Sequence, residues 1–128
     1  MRLMLDTHAF LWFVLGDARL SQIAKAAILD PANAKLVSPA TYWEIAIKVS
    51  LGKYKLHEPY DRLVERGIRG NGFEILAIEP QHTAVVSALP FHHRDPFDRL
   101  LVSQALVERI SLVSQDSLLD IYGIVRVW

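Results

Sequence analysis

The chain has 128 residues, of which 52% are hydrophobic, and this length and composition are those of one domain with a sizeable core. Its 14 basic and 14 acidic residues cancel, so an overall positive field cannot drive nucleic-acid binding, and any such binding requires a local patch. Cysteine is absent, which excludes disulfides and cysteine-ligated zinc, and no apolar run is long enough to span a membrane. Because residues 1–15 also do not read as a signal peptide, we expect a cytoplasmic protein with no membrane partner.

The first half of the chain alternates short apolar strands with helices. The predicted elements are a strand over 2–5, helices over 8–15 and 22–29, a strand over 35–37 and a helix over 39–50. Ser21 and the pair Ser38-Pro39 are helix-start signals, and Gly16 and Gly52 are stop signals.

The second half continues the alternation. It is predicted to contain helices over 59–69, 80–89 and 96–109, strands over 73–78, 112–114 and 124–128, and a helical turn over 117–122. Gly67, Gly70 and Gly72 follow a helix instead of preceding one, so we interpret them as a helix stop and turn rather than a phosphate loop. Together the elements predict an α/β sandwich around a mostly parallel sheet.

The helix over 96–109 begins with a clear signal. Asp95 occupies the N-cap position and Pro96 the first helical position, where a missing N–H costs nothing. Asp95 therefore has a sufficient structural role. Asp98 is a second carboxylate in the first turn, where it either complements the helix dipole or reaches into a shared site.

Two further acids directly follow predicted strands. Asp6 follows the strand over 2–5, and Asp116 follows the strand over 112–114. Ligands of parallel sheets bind outside the carboxyl ends of the strands, which is where these acids lie. Each acid alone could simply cap the helical segment that follows it.

Glu44 is the fourth acid, and it lies between Trp43 and Ile45 in a largely apolar helix. Such a carboxylate requires an exposed face or a partner. Four carboxylates at one end of a sheet would repel, by about 4 kcal/mol for a pair ~4 Å apart at an effective dielectric of ~20. The cluster therefore needs protonation or a cation, and oxygen ligands favour Mg²⁺ or Mn²⁺, the ions of metal-assisted phosphodiester chemistry.

Four segments resemble the PIN-domain family, and most closely the VapC-type ribonuclease toxins of bacterial toxin–antitoxin pairs. They are Leu5-Asp6-Thr7-His8-Ala9 with Leu11-Trp12, Ser38 through Gly52-Lys53, Asp95-Pro96-Phe97-Asp98-Arg99-Leu100-Leu101, and Leu112-Val113-Ser114-Gln115-Asp116. They span nearly the whole chain in the family's order.

The resemblance implies a three-layer PIN-like sandwich, with residues 1–128 forming a single nuclease domain. It implies a Mg²⁺- or Mn²⁺-dependent endoribonuclease, a hydrolase that leaves a 5′-phosphate and a 3′-hydroxyl. The acids implied as catalytic and metal-binding are Asp6, Glu44, Asp98 and Asp116, with Thr7 and Ser114 as supporting hydroxyls. The implied partners are RNA, a small inhibitory antitoxin and a second copy of the chain.

Several basic residues are further candidates. Arg62, Arg66 and Arg69 share one helical face and, with Lys48, Lys53 and Lys55 nearby in the sequence, could contact RNA phosphates, although a solvated face explains each residue singly. Arg99 could orient Asp98 or meet substrate, with surface pairing as the alternative. For His8, His92 and His93, loop or packing roles are favoured over metal ligation.

Two other functions remain open at this point. A haloacid-dehalogenase-like phosphotransferase also has an aspartate after its first strand, but it needs a second acid two residues later, where this chain has His8. A non-catalytic module that binds an antitoxin or another partner is the other alternative.

Overall fold

The computed structural model describes residues 1–128 and contains five strands and six helices. The strands are β1 (Arg2–Leu5), β2 (Ala34–Val37), β3 (Glu74–Ile75), β4 (Ser111–Val113) and β5 (Arg126–Val127). The helices are α1 (Thr7–Leu15), α2 (Gln22–Leu29), α3 (Pro39–Ser50), α4 (Tyr60–Ile68), α5 (Pro80–Ala88) and α6 (Pro96–Glu108), and Arg69–Asn71 and Ser117–Tyr122 form 3₁₀ helices. None of the helices combines the length and apolar character that a membrane crossing requires.

The five strands form one sheet in the order β3-β2-β1-β4-β5, and all four pairings are parallel. The predicted α/β class with a mostly parallel sheet is confirmed, and the sheet is parallel throughout. The chain runs from β1 to β2 and β3 on one side and then returns to β4 and β5 on the other. The border between β1 and β4 is therefore the point where strand order reverses, at which open α/β sheets bind ligands.

Both faces of the sheet are covered by helices. Leu3 and Leu5 of β1 pack into one core with Phe10 of α1, whereas Met4 packs into a second core with Leu101 of α6. This three-layer arrangement explains why the strands are continuous apolar runs, because a strand between two helical layers has no solvated face.

The edge strands are shorter than the sequence predicts. Only Glu74 and Ile75 of the predicted strand over 73–78 pair with β2, and both are exposed. The flanking Phe73 is instead buried in the core beneath α1. A short exposed edge of this kind limits pairing with other chains.

Gly67 has a different role from the one predicted. It lies inside α4, and a Cβ atom there would lie 2.9 Å from the Val14 side chain and 3.0 Å from the Phe10 ring. The missing side chain thus allows α4 to pack closely on α1, and the interpretation of Gly67 as a helix stop is wrong. Gly72, with φ of +73°, does end the 3₁₀ segment.

Candidate active site

Asp6 caps α1 at the carboxyl end of β1. Its Oδ1 accepts the Ala9 backbone N–H at 2.9 Å, so the capping role considered from the sequence is real. Burial raises the pKa of this carboxyl, and hydrogen bonds from Ser114 and Ala9 partly oppose the rise. Asp6 is only 7% exposed and lies at the β1–β4 border, where β1 before it and α1 after it fix its position.

Asp116 caps the 3₁₀ helix that follows β4, since its Oδ1 accepts the Leu118 N–H at 3.0 Å. The buried Ser114 hydroxyl accepts the Asp116 N–H at 3.1 Å, and the same side chain lowers the pKa of Asp6. Ser114 therefore interacts with both acids that follow neighbouring strands. Asp6 and Asp116 line an open polar cleft together with His8, Gln115 and Ser117.

Asp98 lies in the first turn of α6, which begins as predicted. Asp95 is the N-cap, and its Oδ1 accepts the N–H groups of Phe97 at 2.8 Å and Asp98 at 3.4 Å. Burial raises the pKa of Asp98 to about 6, and the negative charges of Asp95 and Asp6 add to the rise, against an opposing hydrogen bond from His93. The environment of Asp98 thus disfavours the charged form of its carboxyl group, as is common where a cation or a substrate binds.

His93 is the site residue that sequence reasoning missed. Its Nε2 lies 2.8 Å from Asp98 Oδ2 and 3.6 Å from Asp116 Oδ2. The ligand atoms of these three residues all lie within 4.8 Å of one another. From the sequence, a loop or packing role is favoured for His93 because no second histidine lies at helical spacing from it. The available signal was different, since His93 lies two residues before the N-cap and therefore at the same helix end as Asp98.

The donor set of this cluster fits a divalent cation. Two carboxylates and one imidazole nitrogen are ligand types of Mn²⁺ and related ions, and carboxylates with water are those of Mg²⁺. The side chains of His93, Asp98 and Asp116 are 17, 23 and 34% exposed, so an ion from solvent can reach them. Asp6 is a third carboxylate near the cluster, and its negative charge raises the pKa of Asp98.

Glu44 reaches the site from α3 but has its own partners. Its Oε1 accepts the Thr7 hydroxyl at 2.6 Å, and its Oε2 lies 2.7 Å from Lys48 Nζ. Burial lowers the pKa of Lys48, but the hydrogen bond and charge of Glu44 outweigh this and raise it. The negative charge of Glu44 also contributes to the raised pKa of Asp6. Glu44 is not in the three-residue cluster, and metal ligation by Glu44 stays a prediction.

Arg99 is neither on the surface nor paired with an acid. It is 4% exposed, and its guanidinium donates to the backbone carbonyls of Pro90 and Leu89, each at 2.9 Å. It also lies 3.9 Å from the centre of the Phe91 ring. Surface pairing, the alternative considered from the sequence, is therefore excluded for Arg99. The guanidinium stabilises the loop that carries His93, so its effect on Asp98 is indirect.

The predicted phosphate-binding residues are largely paired with acids. Arg66 pairs with Glu58, Arg69 Nε lies 3.3 Å from Glu65, and Lys48 is the partner of Glu44. Lys53 and Arg62 are exposed. RNA contact by this set stays a prediction, and Lys48 is placed beside the acids rather than with the arginines of α4.

Comparisons with known proteins agree with this architecture. The model of the PIN domain family matches residues 3–124. No curated protein sequence matches the chain significantly. Among solved structures, this chain is similar to a chain of VapBC2 from Rickettsia felis, in a crystal structure with a promoter DNA fragment. The TM-score is 0.72 and the identity 17%, over 98% of this chain and 97% of that chain.

Two further structures are similar in fold. A chain of VapBC-1 from nontypeable Haemophilus influenzae has a TM-score of 0.65 and 17% identity, over 98% of this chain and 96% of that one. A chain of FitAcB from Neisseria gonorrhoeae has a TM-score of 0.64 and 15% identity, over 97% and 95%. These likenesses concern the fold, and they extend over nearly the full length of each chain.

Proposed function

This chain belongs to the PIN-domain family, and from that premise we propose that residues 1–128 act as one metal-dependent endoribonuclease domain, the toxin of a toxin–antitoxin pair. The proposed reaction is hydrolysis of RNA phosphodiester bonds, with Mg²⁺ or Mn²⁺ as cofactor. Asp6, Glu44, Asp98 and Asp116 are the proposed catalytic acids. A family match to the PIN domain gives no support to the phosphotransferase alternative.

The observation that carries the proposal is the convergence of acids at the β1–β4 border. The ligand atoms of Asp98 and Asp116 lie within 4.8 Å of each other, and Asp6 lines the same cleft as Asp116 and raises the pKa of Asp98 through its charge. These groups come from two strand ends and one helix start that are far apart in the sequence. Their mutual repulsion would destabilise the fold, and a cation that offsets this repulsion accounts for their arrangement.

The chain's own residues divide the proposed work. Asp98 and Asp116 would hold the cation on the exposed side of the site, and the more deeply buried Asp6 would face it from the end of β1. A bound divalent cation supplies Lewis acidity, which lowers the pKa of water and neutralises charge that develops on phosphate oxygens. The Ser114 hydroxyl would hold the backbone of Asp116 in place through the hydrogen bond that it accepts, and it favours the charged form of Asp6 by lowering the pKa of that acid.

Of the four proposed catalytic acids, Glu44 is the one that α3 supplies. Thr7 and Lys48 hold both of its oxygens, so its carboxylate keeps one orientation beside Asp6. The Lys48 ammonium limits the net negative charge there and thereby favours approach of an RNA phosphate. Lys53, Arg62, Arg66 and Arg69 are proposed to contact the RNA more weakly.

The toxin assignment is supported by the fold of chains in the VapBC and FitAcB complexes. We propose a small antitoxin as an inhibitory partner, a homodimer of this chain, and a cytoplasmic location. Induced expression of the wild-type chain should then arrest growth of the producing bacterium. The same expression of an Asp98→Asn variant should not.

The direct test is RNA cleavage by the purified chain, freed of any bound inhibitor. We expect cleavage with Mg²⁺ or Mn²⁺, loss of cleavage with EDTA, and loss in Asp6→Asn and in Asp98→Asn. Removal of a ligand that acts in the transition state should lower the rate by about 100-fold or more.

A matched control is Glu74→Gln, which neutralises an exposed acid on the edge strand β3. It should cleave at the wild-type rate. Circular dichroism must show that the inactive variants are folded. Full activity in Asp98→Asn would remove that acid from the site, and absence of cleavage by the wild-type chain with either ion would refute the proposed reaction.

A further inference from the structure

The cluster at the β1–β4 border consists of His93, Asp98 and Asp116, and His93 is its one residue with a nitrogen ligand atom. It belongs to the loop between α5 and α6. Its Nε2 approaches one oxygen of Asp98 and one of Asp116, which come from different elements. A side chain that only stabilised the start of α6 would have no reason to approach Asp116, which follows β4.

The loop that carries His93 is fixed from the same helix that carries Asp98. Arg99 donates to the carbonyls of Leu89 and Pro90 at 2.9 Å, and at 3.5 Å to that of His93 itself. The Tyr122 hydroxyl donates to the Pro90 carbonyl at 3.0 Å. The imidazole and the Asp98 carboxylate are therefore held relative to each other by a buried guanidinium, as a preorganised ligand pair requires.

The neighbouring His92 shows that the position is specific. Its ring packs against the Tyr122 ring with centroids 5.4 Å apart, and it contributes no atom to the cluster. The two adjacent histidines thus differ in environment while sharing a loop, and His92 provides a matched control.

We propose that His93 Nε2 is a direct ligand of the divalent cation, together with Asp98 and Asp116, and that this nitrogen makes the site favour Mn²⁺ over Mg²⁺. The inference rests on the metal site of the proposed function and extends it from an oxygen-only to a mixed nitrogen and oxygen donor set. Nε2 lies 2.8 Å from Asp98 Oδ2, and a neutral imidazole that carries its proton on Nδ1 would offer the Nε2 lone pair to the cation.

The preference follows from ligand chemistry. Mg²⁺ binds oxygen ligands and retains water molecules, whereas imidazole nitrogen is an accepted ligand of divalent first-row transition ions. A site with one imidazole therefore gains more affinity for Mn²⁺ than for Mg²⁺. A purely carboxylate site would give no such difference.

The test is pulsed EPR of Mn²⁺ bound to the full chain, combined with calorimetric titrations of Mn²⁺ and Mg²⁺. We expect nitrogen coupling in the wild type that changes when histidine is labelled with ¹⁵N. His93→Gln should lose the coupling and about tenfold or more of the Mn²⁺ affinity, with a smaller loss for Mg²⁺. His92→Gln should keep both.

Several outcomes would overturn the inference. They are Mn²⁺ bound without nitrogen coupling, coupling retained in a folded His93→Gln variant, or no Mn²⁺ binding at all. If His93→Gln fails to fold, absence of nitrogen coupling in the wild type still overturns the inference. RNA cleavage without nitrogen coupling would refute the ligand role and leave the proposed function intact. Nitrogen coupling without RNA cleavage would refute the proposed function and leave the ligand role intact.

Discussion

Replacement of Asp98 by asparagine should stabilise the cation-free protein at neutral pH. The pKa of this carboxyl is raised from 3.8 to about 6, with burial as the largest cause. The folded chain therefore binds the Asp98 proton more tightly than the unfolded chain does. Folding stability is then favoured below the unfolded pKa and decreases as pH rises from about 4 to 6, because charging the carboxylate costs more in the folded state.

The magnitude follows from the pKa difference. About two pKa units at 1.36 kcal/mol per unit give a loss of about 2–3 kcal/mol above pH 6. Asparagine resembles the protonated acid and cannot be charged, so Asp98→Asn should not show this loss. At roughly 4 °C per kcal/mol for a chain of this size, its Tm at pH 7.5 should exceed that of the wild type by about 8–12 °C.

The assay is thermal and urea unfolding in EDTA, followed by circular dichroism between pH 4.5 and 8. The difference in unfolding free energy between Asp98→Asn and wild type should be small at the acid end and should grow through pH 6. Glu74→Gln, at an exposed edge position, is the control and should follow the wild-type profile.

A cation gives a second check. Mn²⁺ or Mg²⁺ at pH 7.5 should raise the Tm of the wild type more than that of Asp98→Asn, because ligands that bind only the folded state stabilise it. Two parallel pH profiles for wild type and variant would refute the reasoning, since they would mean that Asp98 carries no folding-linked proton in this range.

Three further substitutions test the packing around the site, each by urea unfolding. Lys48→Met leaves the Glu44 carboxylate buried without its counter-ion and should cost about 3 kcal/mol, most of which a second change, Glu44→Gln, should restore; equal stability of Lys48→Met and wild type would contradict the pairing. Arg99→Met removes a buried donor to several carbonyls and should cost about 3 kcal/mol and weaken Mn²⁺ binding, whereas intact Mn²⁺ affinity would mean that the loop holds its shape unaided. Gly67→Ala should destabilise by about 1 kcal/mol despite its better helix propensity, because the new Cβ meets α1, while Gly70→Ala, at ordinary contact distance, should not.

Local signals in the sequence account for much of the fold. The pair Asp95-Pro96 marks the start of α6 where the structure has it, and Ser21 and Ser38 likewise cap α2 and α3. These predictions succeed because a cap depends on the few residues that follow it. The edge strands β3 and β5 are shorter than the sequence predicts, because the length of an edge strand depends on how far a neighbouring strand can pair with it.

The ion pair between Glu44 and Lys48 is a part of the site that the sequence itself indicates. Glu44 and Lys48 lie at i and i+4 on one helix, the spacing at which opposite charges meet, so the partner required for the buried glutamate was already visible. By contrast, the Thr7 hydroxyl reaches Glu44 across a sequence separation of 37 residues, and no local pattern indicates this contact.

The sequence alone determined which acids follow strands and start helices, because local secondary structure and a shared parallel strand direction place Asp6, Asp98 and Asp116 near one end of the sheet. Only the tertiary structure decided which groups share the site. It brought His93 from a loop to both Asp98 and Asp116, and it turned Arg99 away from the acids toward carbonyls of the same loop. The physical reason is that helix caps are set by neighbours in the chain, whereas side-chain proximity across elements is set by how the layers pack.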